Sequence, residues 1–118
     1  LLIAWATAAE YPMFGDDTDG IGGSTYYQPD GPESARYVSG QVVLERDRMA
    51  ALLAEDDGYV RARAIVIHEL AHVVGLDHVD DPGQLMAPTY TGLTGLGPGD
   101  RQGLVTLGAG PCWAPGQR

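Results

Sequence analysis

The feature that most limits what this chain can become is the run His68-Glu69-Leu70-Ala71-His72-Val73-Val74-Gly75-Leu76-Asp77-His78. Two histidines four residues apart on an α-helix project from one face about one turn apart, so their imidazoles can converge on a single ion. The preceding Tyr59-Val60-Arg61-Ala62-Arg63-Ala64-Ile65-Val66-Ile67 contains no glycine or proline and is rich in apolar residues. It predicts a buried helix leading into the motif. Were that helix to continue, His78 would lie six residues beyond His72, roughly 600° of rotation, and would face away from the ion. Gly75 removes the conflict. A glycine after the last periodic residue can take the left-handed conformation that ends a helix and reverses the chain, returning His78 beneath the ion.

Three neutral imidazoles with one position left open describe a catalytic zinc site, whereas structural zinc sites are closed by four protein ligands and favour cysteine. The single cysteine, Cys112, cannot build the closed kind. The open position holds a water whose pKa falls to about 7, and Glu69, flanking His68, is placed to take its proton as general base. The chain has three histidines in all and no glutamate after Glu69. A distant downstream glutamate is therefore excluded as third ligand, leaving His78 or a nearby aspartate. His-Glu-x-x-His alone also arises by chance on solvated helices, and it is Gly75 and His78 at their offsets that give the pattern its specificity.

The segment as a whole resembles the long zinc signature of the metzincin metallopeptidases. Members of that family carry a tight turn with a methionine beneath the metal, and Gln84-Leu85-Met86-Ala87-Pro88-Thr89-Tyr90 resembles it, with Met86 as the methionine. The plainer reading of Met86 is a core side chain, since methionine fills irregular gaps. Met-x-Pro-x-Tyr is similar to the matrixins within that clan, whose Pro-x-Tyr segment walls the pocket for the residue after the cleaved bond. The resemblance carries this role to Pro88, Thr89 and Tyr90. It implies an α/β (α+β, zincin-like) fold: a twisted mixed sheet with an antiparallel edge strand, a long zinc-binding helix, the methionine turn and a C-terminal helix. One catalytic domain would fill residues 1–118, with sheet and surface loop in 1–57, zinc helix and turn in 58–90, and a loop and helix in 91–118.

Leu1-Leu2-Ile3-Ala4-Trp5-Ala6-Thr7-Ala8-Ala9 lacks the basic start of a signal peptide and reads instead as a buried strand. By resemblance it is the central strand before the matrixin surface loop. The expectation is then of a chain that starts inside its fold, lacks upstream elements, and is poorly stable alone. Residues 12–23 read as a loop, with Asp16, Asp17 and Asp19 among glycines. These carboxylates are candidates for Ca2+, but their spacing is not that of an EF-hand and no bidentate glutamate follows, so a solvated turn is preferred. Matrixins bind a structural zinc and calcium near here; the histidines for that zinc are absent, so only the one catalytic Zn2+ is expected.

Ser24-Thr25-Tyr26-Tyr27 and residues 37–44 are β-prone and separated by a loop around Pro29-Asp30-Gly31-Pro32. By resemblance the first is the edge strand lining the cleft, so Ser24, Thr25 and Tyr26 become candidates for binding an extended peptide as an added strand. Asp47 is expected to cap a short helix over residues 48–55, Asp57 or Gly58 to start the zinc helix, and Asp100 to cap a last helix through about Leu107. The family's aspartate under the methionine turn corresponds to Asp100. Cys112 either pairs with a partner elsewhere or is a free thiol.

Gly (17) and Pro (8) are numerous in 118 residues but short of the disordered range, and the length suits one domain with a modest core. A net charge of −9 argues against nucleic acid or an anionic membrane as partner. No apolar stretch approaches the ~20 residues needed to cross a bilayer. The expected function is a secreted, monomeric zinc endopeptidase that hydrolyses extended polypeptides by a zinc-bound water activated by Glu69. The alternatives are a non-catalytic zinc-stabilised peptide-binding module and a zinc hydrolase of a non-peptide substrate.

Overall fold

The computed structural model describes residues 1–111. In chain order they form β1 (Leu2–Ala6), β2 (Gly20–Tyr27), a single 3-10 turn (Pro32–Ser34), β3 (Arg36–Glu45), α1 (Arg46–Leu53), α2 (Gly58–Val74) and α3 (Pro98–Leu107). The fold is mixed α/β. The sheet has the order β1-β3-β2, with β1 parallel and β2 antiparallel to β3.

Val42 and Leu44, two residues apart and so on one face of β3, are shut off from solvent together with Met49 and Leu52 of α1 and Ala62 of α2. Ile65, Val66, Leu70 and Val73 of α2 pack against this cluster. Their 3- and 4-residue spacing puts them on one stripe of the helix, which seats it on the sheet. The other side of α2 is wet. Tyr59 and Val60 are exposed, so the helix leading into the motif is buried along one stripe only.

Several boundaries differ from expectation, each for a local reason. β1 is an outer strand, not a central buried one. It has β3 as its one strand neighbour among the described residues, while the helices pack mainly on β2 and β3, so Leu2, Ile3 and Trp5 stay more than half exposed. β2 begins at Gly20, four residues before the β-prone Ser24, because its glycines serve a close approach to α2 described below. The cap of α1 is Glu45, whose carboxylate accepts from the Arg48 N–H at 2.7 Å and from the Ala8 N–H at 3.2 Å. Asp47 falls inside the first turn. Asp100 likewise sits inside the first turn of α3, after Pro98, with Gly97 at the cap position. Cys112 lies outside the described residues.

The end of α2 is as expected. Gly75 has φ 112°, in the left-handed region, with Gly75 N–H donating to His72 O at 3.1 Å and Leu76 N–H to Ala71 O at 3.0 Å. This pair of bonds satisfies the last carbonyls of the helix and turns the chain back on itself. A side chain at Gly75 would also strike the Tyr37 hydroxyl at 2.6 Å.

Candidate metal centre

His68 and His72 come from one face of α2, and each ring is locked by a backbone carbonyl. His68 Nδ1 lies 2.8 Å from Leu85 O, and His72 Nδ1 lies 2.8 Å from Leu76 O. A carbonyl oxygen only accepts, so Nδ1 carries the proton in both rings and Nε2 is left with a bare lone pair. His78 follows the reversal at Gly75, its backbone N–H donating to Asp77 Oδ1 at 2.7 Å.

The three Nε2 atoms meet at the corners of a triangle, 3.1 Å apart in every pair. With the Nδ1 positions of His68 and His72 already protonated, the lone pairs at the centre repel unless a cation takes them. The spacing suits zinc, whose ~2.0–2.1 Å bonds to imidazole and tetrahedral angles put neighbouring nitrogens about 3.3 Å apart. The carbonyl partners are the kind that orient and enrich a ligating imidazole. Among the described residues no other three histidine, cysteine or acidic side chains come close enough to share an ion.

Burial holds His68 below the ordinary histidine value of 6.5, against the opposing hydrogen bond to Leu85. Burial, then the neighbouring His72 and His68, does the same for His78. Both rings therefore stay neutral and able to ligate at neutral pH. In the metal-free protein the unfolded chain takes up these protons first, so the contribution of the two histidines to stability falls as pH drops through 6.5. In a Glu69→Gln background, which removes the opposing contribution of that carboxylate, metal-free protein should melt at lower temperature at pH 5.5 than at pH 7.5, and zinc should be released over the same interval as protons compete for its ligands. Melting curves with and without zinc across that range check both statements.

Glu69, next to His68 in sequence, is 7% exposed. Burial raises its proton affinity, opposed by His72, by hydrogen bonding to the Gly22 backbone and by His78. A carboxylate whose proton affinity is raised by burial is suited to accepting a proton and giving it back. The contact with β2 explains the glycines. A Cβ on Gly22 would lie 2.1 Å from Glu69 O, and one on Gly20 would lie 3.0 Å from Glu69 Cγ. The strand can press against the helix at this level only without side chains.

A cleft of about 640 Å3 opens over the three histidines and Glu69. Pro88, Thr89 and Tyr90 line one side of it. Ser24, Thr25 and Tyr26 do not line it. Gly20, Ile21 and Gly22, nearer the start of the same strand, take that place, together with residues 17–19. The correction is one of register: the approach to α2 falls at Gly20 and Gly22, and the strand has passed the cleft before its bulge between Thr25 and Tyr26. A glycine-interrupted β pattern was the signal available in sequence. The rim residues 17–19 are held by Arg48, whose Nε donates to Asp19 Oδ1 at 2.7 Å and Nη1 to Asp16 O at 3.0 Å.

Below the histidines, Leu85, Met86 and Ala87 are buried in succession, Met86 at 1% exposure. Asp100 organises this turn. Its carboxylate accepts from Leu85 N–H at 2.7 Å, Met86 N–H at 3.3 Å and Gly97 N–H at 2.8 Å, and is itself 3% exposed. Gln84 Oε1 returns the link by accepting from Gly99 N–H and Asp100 N–H. Val79 N–H donates to Met86 O at 3.0 Å, fastening the strand of chain after His78 to the turn. Replacing His78 by alanine should weaken zinc binding by at least tenfold while leaving the melting temperature of the metal-free protein close to the parent value, because His78 is exposed. Competition with a chromophoric chelator measures the affinity, and an unchanged value would assign the third ligand elsewhere.

The sequence matches the matrixin family over residues 5–107. It is 30% identical over 96 residues to the macrophage metalloelastase of Oryctolagus cuniculus, covering 78% of this chain and 16% of that protein. It is 50% identical over 36 residues to the 72 kDa type IV collagenase of Gallus gallus, covering 30% of this chain and 5% of that protein. The chain thus corresponds to a small part of the length of these relatives. No solved structure gives a significant match.

Proposed function

This chain belongs to the matrixin family, and from that premise we propose that it is a zinc-dependent endopeptidase acting on polypeptides in extended form. The observation that carries the proposal is the triangle of Nε2 atoms, 3.1 Å on each side, in the cleft that Glu69 also lines. His68, His72 and His78 would hold the ion, two of them aimed by the Leu85 and Leu76 carbonyls. Zinc, when bound, supplies the charge that brings the pKa of a water to about 7 and polarises a peptide carbonyl.

Glu69 takes the proton of the attacking water and passes it to the departing amine, a transfer and return that its raised proton affinity favours. The first half of β2, around Gly20 to Gly22, offers its backbone to an extended substrate as a neighbouring strand. Pro88, Thr89 and Tyr90 wall the pocket for the side chain after the cleaved bond, and Met86 forms the packed floor beneath the ligands. No helix among the described residues is long and apolar enough to cross a membrane; a secreted enzyme is part of the same proposal, on family grounds.

The proposal is tested by incubating the zinc-loaded protein with an unstructured polypeptide and reading the new termini by mass spectrometry. Internal cleavage, stopped by a chelator and restored by zinc, is the expected result. Zinc binding with polypeptide retained uncut would favour a binding module, for which the buried carboxylate of Glu69 has no use.

A further inference from the structure

A second cavity of about 280 Å3 lies behind the cleft, and the two share three residues: Asp19, Ile65 and Tyr90. These three are the partition between them. Ile65 is fixed by the helix that carries the histidines, but Asp19 and Tyr90 come from loops and are each held by an arginine reaching across the second cavity. Arg48 bonds Asp19 at 2.7 Å. Arg61, on the first turns of α2, places its guanidinium 5.6 Å from the centre of the Tyr90 ring. The guanidinium is itself steadied by Glu55 and by Asp57, the latter at 3.5 Å. Arg61 is 30% exposed and Tyr90 55%, so the ring leans on a half-buried, anchored cation and leaves its other side toward solvent and the cleft.

Resting on the endopeptidase reading of this cleft, we propose that Arg61 is a positioning residue for substrate selection. Acting through Tyr90, it holds shut the partition between cleft and second cavity, and so limits the size of the side chain accepted after the cleaved bond. Arg61 touches neither substrate nor the reacting atoms. With the guanidinium gone, the Tyr90 ring has no anchored partner and can swing, joining the second cavity to the first.

The test compares Arg61→Met, which keeps the apolar stem without the charge, with Arg61→Lys, which keeps a cation, in the zinc-loaded protein. Paired peptides differing only in leucine or tryptophan after the cleaved bond give the selectivity ratio. Arg61→Met should move the kcat/KM ratio roughly two- to fivefold toward tryptophan, mainly through KM, as expected for losing one exposed cation–π contact. Arg61→Lys should keep the parent ratio. In a Tyr90→Ala background, Arg61→Met should shift the ratio no further. An unchanged ratio in Arg61→Met, or the same shift with and without Tyr90, would overturn the proposal. Melting temperatures of the parent, Arg61→Met, Tyr90→Ala and the double variant read the brace without any catalysis: non-additive losses support it, and additive losses refute it. A parent protein that cuts no peptide would sink the endopeptidase reading separately, whatever the melting temperatures show.

Discussion

Glu69→Gln should keep its zinc and lose peptide hydrolysis by about 10²–10⁴-fold in kcat, the usual worth of a positioned proton carrier. The substitution leaves the three imidazoles and the two carbonyls that orient His68 and His72 untouched, so binding of the ion should be close to the parent's. What disappears is a group that can accept a proton from water and return it to the amine. A second effect goes the other way. Burial disfavours the ionised Glu69, so its folded pKa lies above the ordinary value of 4.5. Stability is lost as pH rises from 4.5 through that raised value. The neutral amide avoids the penalty, and the variant should melt at higher temperature than the parent at pH 7.5. Zinc analysis, steady-state turnover and a melting curve check the three statements. Near-normal turnover would remove Glu69 from the mechanism. A buried carboxylate that costs stability is the pattern expected where selection favours function over rigidity.

Asp100→Ala should be the most damaging substitution to the fold, costing about 3–5 kcal/mol. Three backbone N–H groups, of Leu85, Met86 and Gly97, point at one buried carboxylate. Each loses its partner and stays shielded from water, at about 1–3 kcal/mol per orphaned donor. Against a typical total of about 5–15 kcal/mol, that is enough to unfold a substantial fraction of the protein. The damage should reach the metal as well, since the Leu85 carbonyl that fixes the His68 tautomer belongs to the peptide segment Asp100 holds. Denaturant titration with and without zinc measures both, with zinc affinity falling alongside stability. A loss below about 0.5 kcal/mol, the range of an ordinary surface change, would contradict the role given to Asp100.

The three-histidine cluster was the most legible part of the sequence because its residues are close in the chain and its geometry is local. Helical periodicity fixes His68 against His72, and a single glycine with positive φ accounts for His78. The cleft wall was less legible. Gly20 and Gly22 look like loop residues, and the reason they lie in a strand is a contact with Glu69, some 47 positions away from Gly22 in the chain. No local propensity encodes that approach, and Ser24, Thr25 and Tyr26, the better strand formers, were favoured in their place. The caps expected for the first and last helices failed for a related reason, whereas α2 starts at Gly58 after Asp57, as expected. Glu45 displaced Asp47 because it is also needed by the Ala8 N–H, a tertiary demand. Asp100 kept the supporting role implied by family resemblance but gave up the cap position to Gly97, with Pro98 opening the helix. The exposure of Leu2, Ile3 and Trp5 could not be read from their apolar character, because burial depends on which strands and helices lie alongside.

One zinc, held by His68, His72 and His78, is what we propose makes this chain a peptidase. Metal-free protein titrated with zinc while a quenched-fluorescence peptide reports hydrolysis tests it in one experiment. No hydrolysis is expected without metal, and the rate should rise until one equivalent of zinc per chain has been added. Hydrolysis by the metal-free protein, or a fully zinc-loaded protein that leaves unstructured peptides intact, would contradict it.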